Sequence, residues 1–441
     1  MIDRKSQSTR AAIGSFVGTT IEWYDFYIYG FAAALVFGPL FFTGASPYIA
    51  TLSAFGTFAV GFFARPLGGL IFGHLGDRMG RKNILVITLV MMGCATALIG
   101  LLPTYAEIGF WAPVLLVALR VLQGIAVGGE WGGAVLLAAE HAPKGRQTFF
   151  ASFAQLGSPA GLVLALLAFR VAGLVDSEVF LSWGWRVPFL VSIALLVVGL
   201  VIRLNIEETP EFEAMKKSAQ TSAMPAAEVF RDWRSAIFLA MGANTFGIAA
   251  VYFYNTFLVT YATQYAGIDR STILEALFWT AIAQFLFQPL GARISEKMGN
   301  EGLFLKICLA GAMLTPYPLF MVVETGNYAL IQIGLIVNII FGAFSYAVIA
   351  GYISQIFPAR VRYSAISIAY QFCAALAGGL TPVLGTVLAQ EFKGEWWPLA
   401  VFASALAGVS FVCVSLLDRY RRGELGQRWS GQNSGSEEVK A

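Results

Sequence analysis

Gly73-His-Leu-Gly-Asp77-Arg-Met-Gly80-Arg-Lys82 stands between two apolar runs, and its reading decides how the whole chain is understood. Asp77, Arg78, Arg81 and Lys82 crowd into ten residues, although only 12% of the 441 residues are charged and 57% are hydrophobic. An ordinary soluble domain carries roughly 25% charged residues. A soluble enzyme is therefore excluded. The runs on either side, near 49–72 and 84–102, each meet the length of about 20 residues that a membrane-crossing helix needs. A net charge of +3 is too mild for nucleic-acid binding.

Outward from this stretch, further apolar runs lie near 12–42, 110–138, 149–174, 184–204, 235–264, 272–292, 303–323, 328–354, 364–389 and 396–417. The expected fold is all-α and integral to a membrane, with twelve transmembrane helices. Outer-membrane strands alternate polar and apolar residues over about 10 positions, which these continuous runs do not. Lys and Arg gather in alternate loops: Arg4, Lys5 and Arg10; Arg78, Arg81 and Lys82; Lys144 and Arg146; Lys216, Lys217, Arg231 and Arg234; Arg293 and Lys297; Arg360 and Arg362; Arg419, Arg421 and Arg422. The opposite loops hold little beyond Arg270 and Lys393. Positive loops face the cytoplasm, so both termini are expected there, in a cell (inner) membrane. The polar start, MIDRKSQSTR, reads as a cytoplasmic arm. Cys94, Cys308, Cys373 and Cys413 are isolated in apolar runs and suggest neither a disulfide framework nor a metal site.

The chain divides into residues 1–204, a charged linker 205–234, a second half 235–417 and a tail 418–441. The halves repeat: at an offset of 219 residues, Ser295-Glu296-Lys297-Met298-Gly299 falls on Gly76-Asp77-Arg78-Met79-Gly80. Glu140-His-Ala-Pro143-Lys-Gly-Arg146 likewise corresponds to Gln355-Ile-Phe-Pro358-Ala-Arg360-Val-Arg362. Two six-helix pseudo-symmetric halves enclosing a midplane site are a transporter architecture.

The stretch Gly73 to Lys82 resembles the G-x-L-x-D-R-x-G-R-K loop of the major facilitator superfamily, and Arg120-x-x-Gln123-Gly124 resembles its fourth-helix motif. A narrower set resembles the metabolite:proton symporter family, with its shikimate, α-ketoglutarate, citrate and proline/betaine permeases. These are Glu22-Trp-Tyr-Asp25-Phe, Arg65-Pro-Leu-Gly-Gly, Gly128-Gly-Glu130-Trp-Gly-Gly, Ser182-Trp-Gly-Trp-Arg186-Val-Pro-Phe and Glu208-Thr-Pro-Glu-Phe212. The second half departs from the pattern: Glu296 replaces the Asp, Asn300-Glu301 the basic pair, and Gln355 stands opposite Glu140. A charge network is therefore expected mainly in the first half. Gly73 and Gly80 permit a tight turn, and Asp77 is suited to a neighbouring helix N-terminus, where the macrodipole favours an anion. The gating set is Gly73, Asp77, Arg78, Gly80, Arg81, Glu140, Arg146 and Glu296.

Intramembrane charges are costly and mark functional sites. Glu22, Asp25, Arg65, Arg120 and Glu130 are such charges, all in the first half. At about 1.5 Å per residue, Asp25 lies roughly 22 Å beyond Arg10, between the heights of Arg120 and Glu130. Two pairings follow: Asp25 or Glu22 with Arg120, and Glu130 with Arg65. His74 and His141 lie at helix ends, so proton coupling falls to Asp25, Glu22, Arg120 and Glu130. Asp25 is the first choice, since it also resembles the first-helix acid of proton-linked sugar porters. Substrate-binding candidates are Tyr29, Arg65, Arg120, Gln123, Gln155, Asn244, Tyr252, Asn255, Tyr370 and Gln371.

The expected function is import of a small organic acid with protons by alternating access. A zwitterionic solute such as proline or betaine, and an uncoupled facilitator, are the alternatives. No catalytic residue set, metal site or cofactor is implied: there is no intramembrane His, no Cys/His cluster and no G-x-x-x-x-G-K-[ST] stretch. The expected partners are substrate, protons and the bilayer, with no nucleic acid and no obligate protein. The tail after Leu417 is too short for a signalling domain, which counts against a sensor.

Overall fold

The computed structural model describes residues 4–44, 47–143, 145–205 and 225–422. The apolar runs are helical because, in lipid, only a helix satisfies the backbone of a single spanning segment. α1 is Arg4–Ala32, carried on by a π-turn at Ala33–Phe37 and a last turn at Gly38–Phe41. α2 is Pro47–Met79 and α3 is Arg81–Gly100. α4 runs Trp111–Gly128 and then Glu130–Glu140; α5 runs Gln147–Gln155 and then Gly157–Ala172. α6 is Val187–Leu204. The second half opens with α7, Arg234–Tyr252, a π-turn at Phe253–Phe257 and Leu258–Gln264. α8 is Arg270–Met298, and α9 joins Glu301–Leu314 to Pro316–Glu324. α10 is Tyr328–Ser354. α11 joins Ala359–Cys373 to Gly379–Glu391 through a π-turn at Ala374–Gly378, and α12 is Trp397–Arg421. Eleven helices are long and apolar enough to cross a membrane, and α1, bent by 41° near its π-turn, makes twelve when counted as one span.

The expected spans are present, with one boundary that changes a reading. α2 runs past residue 72 to Met79, so Gly73 lies inside a helix and does not shape a turn. Only Gly80, at φ +100°, turns the chain, and its repeat partner Gly299 does the same at φ +66°. The internal repeat extends to backbone irregularities. The π-turns of α1 and α7 occupy corresponding places in the two halves, as do the break of α5 at Leu156 and the π-turn of α11. Of the linker, residues 206–224 lie outside the described part, as does Glu208-Thr-Pro-Glu-Phe212. The segment Pro225–Asp232 forms a short helix beside α11, where Arg360 bridges Glu228 at 2.7 Å.

Small residues set how closely the first-half helices approach. A Cβ on Gly68 of α2 would stand 1.9 Å from the Ile125 carbonyl oxygen of α4, and one on Gly128 only 2.3 Å from that of Arg65. Along the same seam, Gly61 leaves the space that Arg120 fills. Gly157 and Gly161 of α5 press in the same way against Thr19 and Tyr24 of α1. The basic loops define one face of the bundle, called here the basic face.

Candidate functional site

All five intramembrane charges are buried, none more than 2% exposed. They are not paired as the sequence suggested. Arg203, in the last turn of α6, takes the place expected for Arg65: its guanidinium bridges Glu130 and also donates to the Leu85 carbonyl. Both partners are buried, Arg203 at 4% and Glu130 at 0% exposure. Gly18 of α1 makes the room, since a Cβ there would stand 2.1 Å from Arg203 Nη2. A basic residue in a final helical turn normally marks the membrane edge, so the sequence alone does not single out Arg203. The available signal was that it falls inside an apolar run.

No direct ion pair joins Asp25 to Arg120 among the described residues; a relay does. Arg120 Nη1 donates to Gln123 Oε1 at 3.0 Å, Gln123 Nε2 to Thr96 Oγ1 at 2.7 Å, and Thr96 Oγ1 to Asp25 Oδ2 at 2.7 Å. Thr96, from α3, was absent from the sequence reading. The Arg120 guanidinium lies 4.0 Å from the Tyr29 ring centre and 4.4 Å from that of Phe26. Arg65 lies over Phe26 and Phe62 at 4.0 and 4.3 Å. Faces of aromatic rings attract desolvated cations, so these arginines are held without using all their donors. Arg65 Nε, Arg120 Nε and Arg120 Nη2 are buried without a hydrogen-bond partner, as are Glu22 Oε2, Asp25 Oδ1 and Glu130 Oε2. Glu22 lies within Coulombic range of Arg65, Arg203, Glu130 and Asp25.

The second half meets this cluster with neutral groups. Tyr252 stacks on Trp23 with ring centres 5.9 Å apart and packs edge-on against Phe62 at 4.9 Å. Asn255, within the π-turn of α7, donates to Tyr27 Oη at 3.3 Å. Tyr370 stacks on Trp131 at 3.7 Å and shares a 3.2 Å hydrogen bond with Tyr346. Gln155 accepts from Trp131 Nε1 at 2.8 Å and donates to the Tyr346 carbonyl at 3.0 Å. Gln371 donates to the Val127 carbonyl at 3.3 Å. Of the expected substrate residues, Tyr29 stays within the first half, bonded to Thr57. Asn244 turns back to the Ala240 carbonyl of its own helix and enters none of the cross-half hydrogen bonds among the described residues.

On the basic face the halves meet at two seams. In one, α2 approaches α11: a Cβ on Gly76 would overlap the Tyr363 ring at 2.0 Å, and one on Gly73 would touch Ser364 at 3.5 Å. Tyr363 Oη donates to the Gly129 carbonyl, and Arg362 lies 3.8 Å from Glu140. The side chains of Asp77, Arg78 and Arg81 lie outside the described residues. In the other seam, Glu296 accepts from the Phe149 backbone N–H at 2.8 Å, Glu301 accepts from Thr148 Oγ1, and Arg146 lies 4.6 Å over the Phe149 ring. The expectation of a weakened second-half network is therefore corrected. Glu296 sits at the N-terminus of an opposing helix, the role expected of Asp77 in the first-half copy, with Arg146 and Arg293 close by over the Phe149 ring.

Two outcomes follow for these seams. Gly76→Ala should force α2 and α11 apart at an overpacking cost of about 1–3 kcal/mol, and a cysteine at position 364 should then react faster with a thiol reagent from the basic face. Glu296→Gln should remove an anion from a helix N-terminus, worth about 0.3–1 kcal/mol. The same labelling test at position 149 should report a smaller increase.

The comparisons with known proteins bear on the whole chain. Residues 11–235 match the family model described as "Sugar (and other) transporter", and residues 237–433 that of the "Major Facilitator Superfamily". The chain is 38% identical to the shikimate transporter of Escherichia coli (strain K12), covering 95% of this chain and 96% of that one. It is 33% identical to the proline/betaine transporter of Salmonella typhimurium (strain LT2), covering 91% and 82%. Among solved structures, the proton:xylose symporter XylE bound to 6-bromo-6-deoxy-D-glucose superposes with a TM-score of 0.75 at 15% identity, covering 95% and 96%. At that identity the likeness concerns the fold.

Proposed function

From the premise that this chain belongs to the Major Facilitator Superfamily and is a multi-pass membrane transporter, not an enzyme, we propose that it imports a small organic acid together with protons by alternating access. The observation that carries this reading is the central cluster itself: unpartnered guanidinium nitrogens of Arg65 and Arg120 beside unpartnered oxygens of Glu22 and Asp25, at the plane where both halves meet. Burying a charge is costly unless it is paired. Free guanidinium donors suit a carboxylate ligand, and carboxylates lacking a full set of partners change their proton as the surroundings change. Proton coupling falls to Asp25 and Glu22 with Arg120, while Glu130 is held by Arg203. Gln123, Gln155, Tyr252, Asn255, Tyr370 and Gln371 shape the substrate site.

The halves 1–204 and 235–417 rock about this site, linked by 205–234, and the basic-face seams break when the carrier opens inward. Both termini lie in the cytoplasm and the protein resides in the inner membrane; the loop charges support this. A cycle that carries one net positive charge inward across 100 mV gains about 2.3 kcal/mol, or roughly fifty-fold accumulation; a cycle with no net charge draws on the pH gradient alone. A zwitterionic compatible solute is the second reading. It is supported by the aromatic group of Trp23, Phe58, Phe62 and Tyr252, whose ring faces suit a quaternary ammonium. Uptake into proteoliposomes under an imposed pH gradient separates the readings. Shikimate and dicarboxylates should accumulate and dissipate the gradient. Accumulation of betaine alone would establish the second reading, and uptake indifferent to the gradient would make the protein a facilitator.

A further inference from the structure

On the face opposite the basic loops the halves part around a cavity of 320 Å³, within the range of about 300–1,000 Å³ typical of small-molecule sites. Its walls come from α1 and α5 on one side and α7 and α8 on the other, and include Phe31, Thr256 and Phe278. Three ionisable side chains line it: Arg170 in the last turn of α5, Arg270 at the start of α8, and Glu275 one turn further along α8. None of the three forms an ion pair among the described residues, and the lining carries a net positive charge. Loops on this face are otherwise poor in Lys and Arg, so membrane topology does not call for two arginines here. The floor is close by. Phe31 lies one turn beyond Tyr27 on α1, and Thr256 directly follows Asn255 on α7. The Asn255–Tyr27 hydrogen bond, 3.3 Å long, thus stands between the cavity and the Trp23–Tyr252 stack. Leu35 and Thr256, both on the cavity wall, lie in the two repeat-related π-turns. Such turns recur at functional sites inside helices.

We propose that this cavity is an outer anion site, in which Arg170 and Arg270 receive the carboxylate of an incoming organic acid before the Tyr27–Asn255 bridge opens and passes it to Arg65 and Arg120. The proposal rests on the organic-acid reading above and adds a second, external site to it. Low-dielectric walls lined by one sign of charge concentrate the opposite ion and speed its capture. The site therefore acts on the apparent affinity for external substrate and leaves the later transport steps alone.

The test uses the full chain in proteoliposomes of phosphatidylcholine alone, with radiolabelled shikimate as the probe and initial rates measured from each face separately. The Arg170→Gln/Arg270→Gln double variant should raise the external KM about ten-fold, with kcat and the KM measured from the basic face unchanged. Arg170→Lys/Arg270→Lys should restore the external KM. High salt should raise the wild-type external KM toward that of the double Gln variant, because exposed charges are screened. An unchanged external KM overturns the outer site, as does a KM change equal on both faces, the mark of a merely structural role. A defect that appears only when an anionic lipid is added to the vesicles overturns it too, since the arginines would then hold a lipid headgroup. Wild-type protein that carries no shikimate or other acid fails before any variant is made. That result overturns the organic-acid reading, and the outer site with it.

Discussion

Arg203→Met is expected to destabilise the protein by about 3–5 kcal/mol, because it strands the Glu130 carboxylate in a buried site without its partner. The pair is buried: Gly18 of α1 lies against the guanidinium, and the Leu85 carbonyl takes a further donor. Glu130→Gln should be milder, since Arg203 keeps its bond to Leu85. The Glu130→Gln/Arg203→Met double variant should recover much of the loss, because two neutral groups need no counter-charge. Thermal unfolding in detergent across the four proteins measures the coupling. A sum of single effects equal to the double effect would show that the pair is not a unit. The fold consequence is broader than one bond, since the pair ties α4 to α6 directly beside α1.

Asp25→Asn is expected to abolish uphill accumulation while leaving exchange of labelled for unlabelled substrate intact. Asn keeps the side-chain shape and still accepts the hydrogen bond from Thr96, so the Arg120–Gln123–Thr96 relay survives. What it loses is the ability to take up and release a proton. Under the imposed pH gradient, accumulation should fall from about ten-fold per pH unit for each coupled proton to none, and lowering the external pH should no longer stimulate uptake. Should Asp25→Asn accumulate substrate as the wild type does, Glu22 becomes the proton carrier. Glu22→Gln in the same assay then decides between them. Loss of exchange together with accumulation would instead place Asp25 in substrate binding.

Much of the architecture is legible in sequence for local reasons. A helix must carry about 20 apolar residues to cross the bilayer, and each span declares itself without reference to any other. The duplication is equally local, since Gly80 and Gly299 both turn the chain with positive φ where few residues other than glycine fit. Burial of Glu22, Asp25, Arg65, Arg120 and Glu130 follows from their position inside apolar runs. Their partners do not. Arg203 and Glu130 are 73 positions apart, and nothing along the chain tells which face of α6 meets α4. Arg65 packs against Gly128, two residues from Glu130, yet its guanidinium does not meet that carboxylate. Spacing along a helix gives heights, while pairing also depends on rotation about each helix axis.

The same distinction separates the two halves of the site. Tyr252, Asn255, Tyr370 and Gln371 are polar residues inside second-half spans, and each meets the first half through a ring or a hydrogen bond. Asn244 is of the same kind and turns to its own backbone. It lies two turns below Tyr252, at a height and rotation the composition of the span does not encode. Glu296 shows the reverse: it departs from the loop pattern, yet geometry brings it to the N-terminus of α5.

By itself, then, the sequence of this protein determined what each segment must do alone: span, turn, face the basic side, or bury a charge. The stretch from Gly73 to Lys82 announced a transporter-like repeat, and the helical spans followed. Only the tertiary structure decided which buried charge meets which, that a threonine relays Asp25 to Arg120, and where the halves part. The physical reason is that bilayer insertion is governed by the hydropathy of one helix at a time. Ion pairs, stacked rings and cavities are instead set by the packing of several helices at once, fixed here by glycines whose missing side chains let particular faces approach.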